Sequence, residues 1–98
     1  MIIPPRGDFS FIKDNETRIM YEDAYKAIDS VWAGWEFVER DPGEGGFMFS
    51  SSLIAVEIQK NMKYEGHSGA SYGWTMRKMQ HLARIGWEAF VKEEHTVS

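Results

Sequence analysis

Apolar residues recur at three- and four-residue spacing through Met20, Ala24, Ala27, Ile28, Val31 and Trp35, and Tyr21, Tyr25 and Trp32 widen the stripe. That period lays them along one face of an α-helix. Asp14 stands where an N-cap carboxylate accepts the first free N–H groups, Glu16 follows where the helix dipole favours a negative charge, and Gly34 marks the stop. A second pattern holds Leu53, Ile54, Val56, Ile58 and Met62, with serines 50–52 offering caps. Ile54, Val56 and Ile58 also fit one face of a strand. The polar run Gln59-Lys60-Asn61 and the stop at Gly66 favour a helix of about three to four turns.

The longest pattern runs from Gly69 or Tyr72 to Glu93 and predicts one continuous last helix. At about 100° per residue, Met76, Met79, Leu82, Ala83, Gly86 and Phe90 share a face, and Arg77, His81, Arg84 and Glu88 form a ridge almost opposite. Near the start, Pro4-Pro5 forbids helix, Gly7-Asp8 signals a turn, and Phe9 and Phe11 alternate with polar and apolar neighbours as in a short edge strand. "WEFVERDPGEGGFMFS" predicts a hairpin, because Trp35, Phe37 and Glu39 alternate, Phe47 and Phe49 alternate, and residues 41–46 are turn chemistry throughout. The expected class is α+β, mostly helical: three helices with a β-hairpin between the first and second, in one domain over residues 1–98.

Composition narrows what such a domain does. A chain of 98 residues with 43% apolar residues buries a core without staples, and the lack of cysteine excludes disulfides and thiolate metal sites. No apolar run approaches the roughly 20 residues of a membrane span, and "MIIPPRGDFS" lacks the pattern of a signal peptide. A cytoplasmic location follows as the expectation. A deep pocket in so small a chain is most easily built between subunits, so a homo-oligomer is expected.

The net charge of −4 is unevenly spread. Residues 1–49 hold five basic and ten acidic side chains, whereas Lys60, Lys63, Arg77, Lys78 and Arg84 face only Glu65 within residues 60–84. The acids Glu22, Asp23, Asp29, Glu36 and Glu39 fit a solvated helix face or a DNA-mimicking one. An acidic chain argues against sequence-specific nucleic-acid binding.

The basic stretch contains "YEGHSGASYGWTMR". The spacing excludes two familiar loops: a nucleophile elbow needs Gly-x-Ser-x-Gly, and a phosphate loop needs a Lys-Ser/Thr after its glycines. What remains is a turn of small residues opening a helix, whose first N–H groups point outward at the positive end of the dipole. Gly66 and Gly69 allow close approach to the backbone, and His67, Ser68 and Ser71 add side-chain hydrogen-bonding groups suited to phosphate. Lys63 and Arg77 would balance charge, with His81 and Arg84 further along, and Tyr72 or Trp74 would stack on a base. The plainer reading makes Ser68 or Ser71 an N-cap, Gly66 a helix terminator, Gly73 a close-packing position, Arg84 a partner of Glu88, and the aromatics core or interface. His67, His81 and His95 lack metal-ligand spacing, so no metal or other cofactor is expected.

Gly66-His67-Ser68-Gly69-Ala70-Ser71, entered from "LIAVEIQKNMKYE" and left by "WTMRKMQHLARIGWEAF", resembles a Gly-His-Ser-Gly-x-Ser signature set between helices in small phage-encoded proteins of unassigned function. The resemblance spans about 40 residues and implies a phage origin, hence a host-cell cytoplasmic setting, with a site at these residues and no particular reaction. Three functions follow as expectations. The first is an anti-defence protein that sequesters a phosphorylated nucleotide signal of host immunity in an oligomeric pocket. The second is a metal-independent phosphodiesterase with His67 as catalytic acid or base, and the third an inhibitor that presents its acidic, aromatic first half to a host protein.

Overall fold

The computed structural model describes residues 2–32, Trp35 and 52–97, leaving aside the side chains of residues 52–54, 96 and 97. Four helices run through them: α1 (Asn15–Val31), α2 (Ser52–Asn61), α3 (Gly69–Ile85) and α4 (Trp87–Val97). There is no strand among the described residues. The expected α+β class is therefore corrected to all-α over the described residues. The segment assigned to the hairpin lies outside the described residues except for Trp35, which is fully buried and whose N–H donates to the Trp32 carbonyl at 3.2 Å, a turn following α1.

Helix α1 forms where its periodicity places it. The Asp14 carboxylate accepts the Thr17 N–H at 2.9 Å and the Thr17 hydroxyl at 2.6 Å. These bonds, the side-chain one first, hold the Asp14 carboxyl below the usual carboxylate range. Met20, Tyr21, Ala24, Tyr25, Ala27 and Ile28 are buried along one face. The helix ends at Val31, short of Gly34, with the Trp32 N–H returning to the Ile28 carbonyl at 2.8 Å. Helix α2 takes the helical alternative for residues 53–58: Ile58 is buried and Val56 exposed, which a strand with both on one face would not allow.

The N-terminal segment departs from the expected edge strand. Two successive turns form instead, with the Asp8 N–H on the Pro5 carbonyl at 3.0 Å and the Ile12 N–H on the Phe9 carbonyl at 2.9 Å. These turns drop Phe9 into the centre of the core. Its ring meets Tyr21, Tyr25 and Trp87 edge-on at 5.6, 5.7 and 5.2 Å, and Phe90 at 6.5 Å. The Trp87 indole N–H donates to the Pro4 carbonyl at 2.7 Å, tying the segment to α4. Burial of apolar surface outweighs the local strand pattern here.

The single last helix is also corrected: it breaks at Gly86. That residue has φ 89° and ψ 162°, a region essentially restricted to glycine. Its N–H caps α3 on the Leu82 carbonyl at 2.8 Å, and its carbonyl accepts the Phe90 N–H at 3.0 Å to start α4. A continuous helix would turn Trp87 and Val91 about 80° and 120° away from Met79. The break brings both into the core, where Val91 is fully buried. Under this corner the Tyr21 hydroxyl donates to Glu94 Oε1 at 3.0 Å, and Lys78 Nζ lies 3.5 Å from the same oxygen. Burial, reinforced by the Glu94 charge, pushes the Tyr21 phenol far above its ordinary value.

Helix α1 packs against α2 and α3, and α3 against α4. The segment 62–68, which joins α2 to α3, consequently lies beside α1.

Candidate functional site

Asp23 of α1 organises this segment. It falls three residues after Met20 and four before Ala27, both buried, so its carboxylate sits at the border of the core and is only 13% exposed. Such a carboxylate needs donors. Two come from the backbone of the connecting segment: the Lys63 N–H reaches Oδ1 at 2.9 Å and the Tyr64 N–H reaches Oδ2 at 3.1 Å. Hydrogen bonds to a charged group contribute about 1.5–3 kcal/mol each, enough to set the path of the chain here.

That path carries His67 inward. Its side chain is only 9% exposed, and Nε2 lies 3.5 Å from Asp23 Oδ2, an ion-pair distance without hydrogen-bond geometry. Neither ring nitrogen is hydrogen-bonded among the described residues. The rings of Tyr64 and Tyr72 flank the imidazole edge-on, at 5.1 Å and 79° and at 6.4 Å and 88°. Burial raises the Tyr72 phenol above its ordinary value. Gly66 is required by close approach: the Tyr64 ring lies where a Cβ would stand. It is not a left-handed helix terminator, since only Gly7 and Gly86 have positive φ among the described residues.

Ser68 is the N-cap of α3 and forms a capping box with Ser71. The Ser68 hydroxyl accepts the Ser71 N–H at 3.1 Å, and the Ser71 hydroxyl accepts the Ser68 N–H at 2.7 Å. Both hydroxyls are thus committed to the cap. The Tyr72 N–H donates to the Ser68 carbonyl at 2.9 Å, which leaves the N–H groups of Gly69 and Ala70 without a protein acceptor among the described residues.

A cleft of about 720 Å³ opens at this point. Of the residues expected to form a site, Lys63, His67, Ser68, Gly69 and Tyr72 line it, joined by Gln59, Met62, Tyr64 and Glu65. Gly66 and Ser71 adjoin it through the turn and the cap. The others are placed elsewhere. Trp74 stacks on Tyr21 at 5.6 Å and 23°, with the Lys78 ammonium 5.6 Å from its ring centre. His81 Nε2 meets the Glu93 carboxylate at 2.9 and 3.1 Å. Arg77 and Arg84 are exposed on α3 outside the cleft lining, and Glu88 pairs with Lys92 at 3.1 Å in place of Arg84. Within the basic stretch, Lys60 and Lys78 are paired with Glu57 and Glu94, and among the described residues Lys63 is the cation that lines the cleft.

Gly73, expected to permit close helix packing, does not serve that purpose. A Cβ there meets only the Arg77 guanidinium, at an ordinary 3.5 Å. Gly73→Ala is expected to stabilise the protein by about 0.5–1 kcal/mol through helix propensity, read as a raised urea midpoint. A loss of stability would show that the helix packs closer at this position than the structure places it.

Sequence reasoning missed Asp23 and Tyr64 as site residues. Asp23 belongs to the acids that fit a solvated or DNA-mimicking face, although its i+3 and i−4 relation to buried apolar positions marks an acid at a core border. Tyr64 carried no comparable signal. Among the described residues no three His, Asp or Glu side chains gather as a metal-holding group, and no helix is long and apolar enough to cross a membrane. No family model, curated protein or solved structure matches the chain. The site's chemistry is accordingly read from its own groups: an imidazole facing a fixed carboxylate, two phenol rings, one ammonium and two free backbone donors.

Proposed function

We propose that this protein captures a small phosphorylated ligand of nucleotide size in the cleft between the 62–68 segment and the start of α3, and holds it unchanged. The observation that carries the reading is His67: nine-tenths buried, lining the cleft, with both ring nitrogens lacking a hydrogen bond among the described residues. Both nitrogens are shut off from solvent; an unsatisfied buried polar group costs about 1–3 kcal/mol, and a ligand that draws the ring outward and supplies the partner recovers that cost. Lys63 and the N–H groups of Gly69 and Ala70 supply further donors to an anion. Tyr64 and Tyr72 offer apolar ring surface to a base, and the cleft falls within the roughly 300–1,000 Å³ of small-molecule sites.

With the phage resemblance, the reading extends to sequestration of a nucleotide signal of host defence in the host cytoplasm, the cleft being enclosed by a second copy of the chain. A second reading rests on Asp23: a carboxylate facing one nitrogen of an imidazole is the arrangement that orients a general acid or base, which favours phosphodiester cleavage through His67. One experiment separates the two. The protein is incubated with cyclic and linear nucleotides, freed of excess, heated, and the released ligand is chromatographed. Intact nucleotide supports capture, and altered nucleotide, absent with His67→Ala, supports cleavage. A ligand at 100 times its Kd adds about 2.7 kcal/mol of stability. If no nucleotide at millimolar excess raises the melting midpoint, both readings fail.

A further inference from the structure

We infer that phosphate capture at this cleft is coupled to uptake of a proton by His67, with Asp23 as the built-in counter-charge; the inference rests on the reading of the cleft as a phosphate site. The argument starts from Asp23. Both its oxygens are held by backbone N–H groups, of Lys63 and Tyr64, so the carboxylate cannot swing away from the imidazole 3.5 Å from it. Asp23 Oδ2 approaches His67 Nε2 to 3.5 Å without hydrogen-bond geometry, so Nε2 makes no hydrogen bond. The ring is thus placed beside a fixed negative charge with its hydrogen-bonding capacity unspent.

The groups packed around His67 leave Asp23 as the nearest countercharge. From α1 it is faced by Asp23, from its own segment by Tyr64, and from α3 by Tyr72, while Lys63 and Glu65 share the cleft. An anion entering the cleft favours the doubly protonated ring, in which Nε2–H faces Asp23 and Nδ1–H is a second donor. The proton comes from water, no bond of the ligand is broken, and one positive charge appears between two negative ones. By linkage, whatever factor the anion adds to the ring's affinity for a proton, the proton adds to the affinity for the anion. Asp23 is then a positioning residue, acting on the ligand through His67.

The test uses sulfate, which has the tetrahedral shape of phosphate and a constant charge between pH 5.5 and 8, across imidazole's ordinary titration range. Binding to the whole protein is followed by NMR at the Gly69 and Ala70 amides and the His67 ring. Affinity is expected to be at least about tenfold higher at pH 5.5 than at pH 8. That ratio should collapse towards one in His67→Gln, which keeps a hydrogen-bonding side chain, and in Asp23→Asn, with melting curves confirming that both variants are folded. If Asp23 were only a structural brace, its variant would weaken sulfate equally at both pH values and keep the ratio, which would overturn its part in the coupling. Sulfate binding that is independent of pH in the wild-type protein overturns the inference and leaves the phosphate site standing. Absence of sulfate binding at both pH values overturns the phosphate reading and the coupling together.

Discussion

Phe9→Ala is expected to lower folding stability by about 3–5 kcal/mol. The ring is fully buried and lies against Tyr21, Tyr25, Trp87 and Phe90, with Phe11 at 6.2 Å. Removing it withdraws the shared partner of residues from α1 and α4 and leaves a void that rigid rings cannot collapse to fill. Edge-to-face pairs add about 0.5–1.5 kcal/mol beyond area burial, so the loss belongs at the upper end of the range. A domain with total stability of about 5–15 kcal/mol would be left marginal. Urea denaturation measures the loss, and Phe9→Leu, which retains most of the volume, should recover much of it. A loss below about 1 kcal/mol for the alanine variant would contradict the central placement of this ring.

Gly86→Ala is the second large effect, expected to cost about 1–3 kcal/mol. At φ 89° and ψ 162° a Cβ clashes with the backbone, and relaxing φ would break either the cap on Leu82 or the first bond of α4 at Phe90. Gly73→Ala is the internal control: the same atom is added inside α3 instead of at its C-cap, and the sign reverses. Because Gly86 lies at the end of α3 opposite the cleft, the folded fraction of the variant should bind ligand with unchanged affinity. Thermal melting and a binding isotherm on one preparation report both quantities. Equal stabilities for Gly86→Ala and wild type would mean that α3 and α4 can join as one helix.

Helix α1 was legible because Asp14 and the Met20–Ile28 stripe are local signals that tertiary packing reinforces. The α3–α4 corner was hidden for a specific reason: Phe90 falls on the same face as Met79 in a straight helix, so the period continues through Gly86 and nothing reports its backbone angles. Phe9 and Phe11 alternate as in a strand, but what decides their conformation lies near residue 90. The cleft shows the same division. Composition located the turn at Gly66–Ser71, and Ser68 took the N-cap role that local chemistry allows. Asp23's place at the core border is readable from its spacing to Met20 and Ala27, but its donors are backbone N–H groups 40 and 41 residues further along, which no side-chain pattern records.

The docking of the N-terminal turns onto α4 also has a consequence during synthesis. Phe9 leaves the ribosome 78 residues ahead of Trp87, whose indole both covers its ring and anchors Pro4. At about 5–20 residues per second, this buried ring spends on the order of 4–16 s without the aromatic neighbours of α4. The nascent chain in that interval presents an apolar N-terminal segment suited to chaperone capture, and closes over it only when its last helix emerges.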